Sequence, residues 1–138
     1  MRTLAAIILF LFIVPGCNKD NRPLIPYTYV NLTLYPNSSL DYIPVGGYIY
    51  MPEGYRGIVI YRLLPDVFAV YERCCPFDPE KTGARISVDP SNLTCTDSVC
   101  MSKFVITDGS PYSGPSPFAL MQYRWDYDPA REVLFIYN

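Results

Sequence analysis

Between Tyr27 and Asn138 the chain is interrupted every few residues by proline, glycine or an Asp/Asn turn, and the runs between are short and rich in Val, Ile, Tyr and Phe. Such runs carry the β-branched and aromatic residues that suit a pleated, half-buried surface, while the Ala, Leu, Lys and Glu series that build helices are nearly missing. Val30-Asn31-Leu32-Thr33-Leu34 alternates at the strand period, so one face is expected to be buried. Gly46-Gly47 opens Tyr48-Ile49-Tyr50-Met51, Pro52-Glu53-Gly54 turns the chain, and Gly57 to Arg62 follows as a more fully buried run, which predicts a hairpin. Val67 to Glu72 is a further strand that delivers Cys74-Cys75-Pro76-Phe77 to a loop, and Arg85 to Val88 and Leu93-Thr94-Cys95 are short strands. Cys95 and Cys100 are then expected to sit in a second loop. Phe104-Val105-Ile106, a proline-rich excursion from Ser110 to Pro117, Leu120 to Trp125 and Glu132 to Tyr137 complete nine or ten strands with no amphipathic helix. The expected class is all-β, a small antiparallel sandwich or barrel in one domain, since 138 residues, half of them hydrophobic, suffice for a single core.

Histidine is absent from the chain, which removes the commonest general base, the commonest metal ligand and the side chain that changes charge near neutral pH. Eleven basic against thirteen acidic residues leave a formal charge of −2, which argues against a nucleic-acid partner. No Gly-rich phosphate loop, serine nucleophile motif or histidine-based triad can be assembled, so no catalytic residue is assigned.

The first residues read as an address. Met1-Arg2-Thr3 places one positive charge before the apolar run Leu4 to Val14, too short to span a bilayer, which needs about 20 residues. Ile13-Val14-Pro15-Gly16-Cys17 resembles the lipobox of bacterial lipoproteins, in which cleavage falls before a cysteine that is then acylated. The resemblance implies a signal peptide over 1–16, an acylated Cys17 with a polar tether over 17–26, and an exported domain over 27–138. The expected location is the bacterial cell envelope, anchored by lipid to a membrane, with the outer membrane favoured because Asn18 follows the cysteine.

Two cysteine loops on a small antiparallel scaffold, the second followed by Ser102-Lys103-Phe104, Asp108-Gly109 and Gly114-Pro115-Ser116-Pro117-Phe118-Ala119-Leu120, resemble the Rieske iron–sulfur fold from Val30 to Asn138. With the lipobox, the glycine-rich hairpin and the terminal Ile-Tyr-Asn, the pattern is most similar to Rieske-like lipoproteins of Bacteroidetes. In that family the first loop carries C-x-H and the second C-x-x-H-G-S-x-F. Cys75-Pro76-Phe77 matches the first with phenylalanine where the first histidine stands. Counting back from Ser102, the family glycine falls on Met101 and the second histidine on Cys100. The second cysteine falls on Asp97 without an insertion, or on Cys95 with two residues inserted. With no histidine anywhere, the two-cysteine, two-histidine ligation of a Rieske cluster cannot form.

Four cysteines remain besides Cys17, and three uses are open for them. Export makes disulfides the default. Adjacent Cys74 and Cys75 close only with strain, and the family position of Cys75 implies a cross-loop bridge from it to Cys95 or Cys100. Such a bridge would stabilise by about 3 kcal/mol. The second use is a cysteine-held [2Fe-2S] cluster, or a zinc ion; for the cluster the ligands would be Cys75, Cys95 and Cys100 with Cys74 or Asp97. The third is thiol exchange, for which Arg73 is the only nearby group able to lower a thiol pKa. Late in the chain, Asp126, Asp128 and Glu132 read as solvated turn residues, and Tyr123, Trp125, Tyr127 and Tyr137 as packing pairs or an aromatic platform for a sugar.

The sequence therefore predicts an exported, lipid-anchored Rieske-like domain that has lost its histidine ligands and acts as a non-catalytic binding or envelope scaffold, with no cofactor or metal and an unidentified protein or glycan partner. The alternatives are an electron-transfer protein carrying a cysteine-ligated [2Fe-2S] cluster and a carbohydrate-binding lipoprotein.

Overall fold

Strands β3 (Ile58–Leu64) and β4 (Val67–Glu72) explain why two stretches of the sequence are apolar almost without alternation. Ile58, Ile60, Phe68 and Val70 face one hydrophobic core, while Val59, Tyr61, Ala69 and Tyr71 face a second. A strand buried on both faces has no polar side to present, so the period-2 pattern disappears. In the computed structural model, which describes residues 24–138, this hairpin is the partition on which the rest of the molecule is built.

Among the described residues, ten strands form three antiparallel sheets. The central sheet has the order β2-β3-β4, with β2 spanning Tyr48–Met51. Tyr48 to Met51 pair with Tyr61 to Ile58 as the sequence predicts. On the first core side lies the sheet β1-β10-β9, made of Asn31–Leu34, Val133–Tyr137 and Arg124–Asp128. On the other side is the sheet β5-β6-β7-β8, made of Ile86–Val88, Thr94–Asp97, Lys103–Val105 and Pro111–Ser113. The all-β reading holds; among the described residues there is no helix, and hence none long and apolar enough to cross a membrane. The signal peptide and Cys17 lie outside the described residues.

Several boundaries differ from the sequence reading, and three of them have a plain physical reason. The proline-rich excursion contains a strand, β8, whose Pro111 is accommodated because β8 is the sheet edge and needs no donor on its outer side. The run from Leu120 does not belong to β9. It first lies along the end of β4, where Glu72 N donates to Met121 O at 2.9 Å and Tyr123 N to Val70 O at 3.0 Å, and so joins two sheets before β9 starts at Arg124. Glu132 is in the turn with φ 55°, and β10 starts at Val133.

Candidate functional site

The end of β4 carries the first loop. Arg73 N donates to Gly57 O and Ile86 N to Arg73 O, both at 2.8 Å, and Cys74 bridges to Arg85, so the chain is held between the central sheet and β5 as it enters the loop. Glu72, fully buried, organises this entry. Its carboxylate accepts from Tyr55 N, Arg56 N, Cys74 N and the Tyr123 hydroxyl at 2.8 to 2.9 Å. Burying a carboxylate is tolerable because these donors replace the water it gives up.

The second loop runs from the end of β6 to the start of β7. Asp97 N donates to Ser102 O and Met101 N to Asp97 O, each at 2.9 Å, and Asp97 Oδ1 accepts from Val99 N at 2.8 Å, which closes a tight turn with Cys100 at its tip. Met101 takes φ 62°, a left-handed conformation that a residue with a Cβ adopts only at a cost. This is the position at which the resemblance places a glycine. A third segment buttresses the turn: a Cβ on Gly114 would lie 2.5 Å from Ser102 Cα and 2.7 Å from Met101 O, so only glycine allows the approach. Ser116 N donates to Ser102 Oγ at 3.1 Å, and Cys100 Sγ lies 3.0 Å from the same hydroxyl.

The two tips meet. Cys75 Sγ and Cys100 Sγ are 3.5 Å apart, and Cys100 Sγ is 3.2 Å from Asp97 Oδ2. Asp78, three residues beyond Cys75, completes the group: one ligand atom from each of Cys75, Asp78, Asp97 and Cys100 lies within 4.8 Å of all the others. Both carboxylate oxygens of Asp78 are buried without a hydrogen-bond partner. The Lys81 ammonium approaches Oδ2 at 3.1 Å as an ion pair, outside hydrogen-bond geometry.

The structure thus selects among the sequence candidates. It brings Cys75, Cys100 and Asp97 together, in the register that needs no insertion, and leaves out Cys95 and Cys74. Cys95 is not in a loop; it sits within β6 with its side chain in the second core and its sulfur 3.8 Å from Phe104 O. Cys74 Sγ lies 3.8 Å from the carbonyls of Cys75 and Pro79. Asp78 escaped sequence reasoning because the family motif ends at Phe77; an acid just beyond a metal-loop motif was the available signal. Phe77 packs against the second core in the place of the first histidine, so that ligand position is apolar.

Burial pushes the Cys74 thiol up to about 11 and the Cys95 thiol to about 12. Burial likewise raises Cys75; the Phe77 N–H works against that, and contact with Asp97 and Cys100 adds to it. Arg73 does not activate a thiol: its guanidinium stacks 3.6 Å over the Tyr50 ring, and its Nε donates to Ile86 O. The Arg56 guanidinium, not Arg73, acts to lower a thiol, that of Cys74, but burial outweighs it.

Most of the aromatic series packs, while Tyr137 is exposed and lines a shallow pocket of about 350 Å³ with Tyr123 and Trp125. Tyr123 is buried under Glu72, while Trp125 and Tyr127 pack against Phe68 with ring centroids at 5.8 and 5.5 Å. Asp128 accepts from Ala130 N and Arg131 N, as a turn residue does.

No family model and no curated protein matches the chain. Its fold is similar to solved structures. A chain from the complex of reduced oxygenase and oxidized ferredoxin in carbazole 1,9a-dioxygenase matches with TM-score 0.54 and 15% identity, covering 78% of this chain and 93% of that one. The ferredoxin of carbazole 1,9a-dioxygenase from Nocardioides aromaticivorans IC177 matches with TM-score 0.51 and 14% identity, covering 80% and 97%. The fold of this protein is Rieske-like.

The residues do not fit the cluster of that fold. One of the four ligand positions is a phenylalanine, another a carboxylate, and two irons with their bridging sulfides must hold two ligand pairs apart. The donor group here is drawn together within 4.8 Å.

Proposed function

We propose that this protein is an exported, lipid-anchored Rieske-like domain that has given up its iron–sulfur cluster and serves as a non-catalytic binding or scaffold protein of the bacterial cell envelope. The observation that carries the reading is the contact of Cys75 with Cys100 at 3.5 Å, with Phe77 packed where a histidine would be needed. A separation that short between ligand positions of two different irons supports the cluster-free reading. The lipobox-like Ile13 to Cys17 supports the anchor, and the absence of histidine supports the lack of acid–base chemistry. An electron-transfer role would need a cluster ligated without Phe77, and a sugar-binding role would have only Trp125 and Tyr137 beside a shallow pocket, since Trp125 and Tyr127 pack one side against Phe68.

The test is to label cells with radioactive palmitate, extract the full chain from membranes in detergent without oxygen, and count iron and record the visible spectrum. The reading expects label that Cys17→Ser abolishes, and a colourless protein without stoichiometric iron. Two irons per chain with charge-transfer bands would overturn it in favour of electron transfer.

A further inference from the structure

We infer that Cys75, Asp78, Asp97 and Cys100 form a closed site for a single zinc ion that clamps the two loops together. This rests on the cluster-free reading above and goes beyond it in assigning the group that replaces the cluster.

Zinc is four-coordinate and tetrahedral in structural sites, with Zn–S near 2.3 Å and Zn–O near 2.0 to 2.2 Å. Those lengths imply an S···S edge of about 3.7 Å and S···O edges of about 3.5 Å. The sulfurs here are 3.5 Å apart, and Cys100 Sγ is 3.2 Å from Asp97 Oδ2. A disulfide needs about 2.05 Å between the same sulfurs. The donor group is thus already close to the size of a zinc polyhedron, and all four atoms fall within 4.8 Å.

Asp78 provides the independent observation. Its side chain is 10% exposed, and neither oxygen has a hydrogen-bond partner. The exposed Lys81 ammonium meets only Oδ2, at 3.1 Å, so it offsets part of this charge and leaves Oδ1 unpaired near the Asp97 carboxylate, an arrangement that a second cation between the two acids would relieve. A disulfide would satisfy the sulfurs and leave this carboxylate as it is; a zinc ion satisfies both.

Binding is a balanced exchange: the ion enters, the two thiols release two protons to solvent, and two thiolates with two carboxylates leave the complex at −2, partly offset by Lys81 beside Asp78. No oxidant is involved. Ser102, already 3.0 Å from Cys100 Sγ and fixed by Ser116 N, orients that ligand from outside.

The experiment uses the full chain in detergent, reduced and stripped with a chelator. It is titrated anaerobically with Co2+ as a spectroscopic probe and then with Zn2+. The expected result is one Co2+ per chain with thiolate charge transfer and tetrahedral d–d bands, displaced by one Zn2+. Asp78→Asn removes a direct anionic ligand and should weaken binding by at least about 100-fold, more than the loss of an outer-shell partner typically costs. Cys75→Ser should weaken binding and roughly halve the thiolate charge-transfer intensity, leaving the part that Cys100 supplies, whereas Cys100→His, which keeps a zinc ligand but cannot form a disulfide, should retain binding. Circular dichroism verifies that each variant is folded. A folded wild-type chain that takes up no Co2+ or Zn2+, Asp78→Asn binding as tightly as wild type, or preference for iron in equimolar competition would overturn the zinc site and leave the cluster-free reading standing. Two irons per chain on isolation would overturn both.

Discussion

Tyr123 donates its hydroxyl to Glu72 across 2.8 Å, joining residues 51 positions apart at the point where three structural units meet. Glu72 ends β4, Tyr123 precedes β9, and the same carboxylate receives Cys74 N at the mouth of the first loop. The site is therefore anchored through a buried acid that does not belong to it.

Removing that anchor has an expected cost. Tyr123→Phe deletes one hydrogen bond to a charge-bearing group and should lower stability by about 1.5 to 3 kcal/mol. Glu72→Ala strands three backbone N–H groups as well and should cost more, on the order of 4 kcal/mol or above. Guanidinium midpoints measure both; a Glu72→Ala variant as stable as the parent would show that the network contributes nothing.

Two backbone positions, one on the second loop and one on the segment that buttresses it, should respond in opposite directions. Gly114→Ala drives a methyl into Ser102 and Met101 and should destabilise by about 3 kcal/mol while loosening the turn that carries Cys100. Met101→Gly relieves the left-handed strain at an exposed side chain and should raise stability by about 1 kcal/mol. Thermal unfolding decides, and a drop in Tm for Met101→Gly would remove the strain argument.

Alkaline pH should weaken the metal-free, reduced protein. Burial raises Cys74 from 9.0 to about 11, Cys95 from 9.0 to about 12 and Tyr71 from 10.0 to about 12. The folded state keeps protons that the unfolded chain releases, so the stability they confer is complete below about pH 9 and is lost as pH climbs toward 11 to 12. Each group removes about 1.4 kcal/mol per pH unit inside its own window. The guanidinium midpoint should fall between pH 8.5 and 11, less steeply in Cys95→Ala; a midpoint constant over that range would contradict the assignment.

Thiol labelling should follow burial. Cys100 is partly exposed, while Cys74, Cys75 and Cys95 are fully buried. Iodoacetamide at pH 8 should modify Cys100 first in the metal-free protein, and mass spectrometry should find Cys74 and Cys95 modified only after unfolding. Early labelling of Cys95 would place that residue elsewhere than in the core.

Restoring the cluster should take three changes. Phe77→His and Cys100→His supply the imidazoles, but the second loop register puts a carboxylate at the remaining ligand, so Asp97→Cys is also required. The triple variant should take up two irons on anaerobic reconstitution, with the charge-transfer bands of a histidine-ligated centre, and the double variant without Asp97→Cys should not. Equal loading of both would refute the register.

The sequence alone determined the class, because β-branched and aromatic runs cut by proline and glycine leave no helix to form among the described residues, and it determined that no histidine could ligate anything. It also located Met101 at a glycine position and both loops to within a few residues. The tertiary structure decided which side chains share the site. Cys95 and Asp97 point to the same face of β6, about 6.6 Å apart along the strand, and nothing local says which one reaches the loop tip. The pairing of β6 with β5 and β7 buries Cys95 beside Phe104 and leaves Asp97 at the strand end facing Cys75. Asp78 joins for the same reason: its partners are supplied by a loop some twenty residues away in sequence, and such proximity is a property of how strands pair across the fold, not of any local pattern.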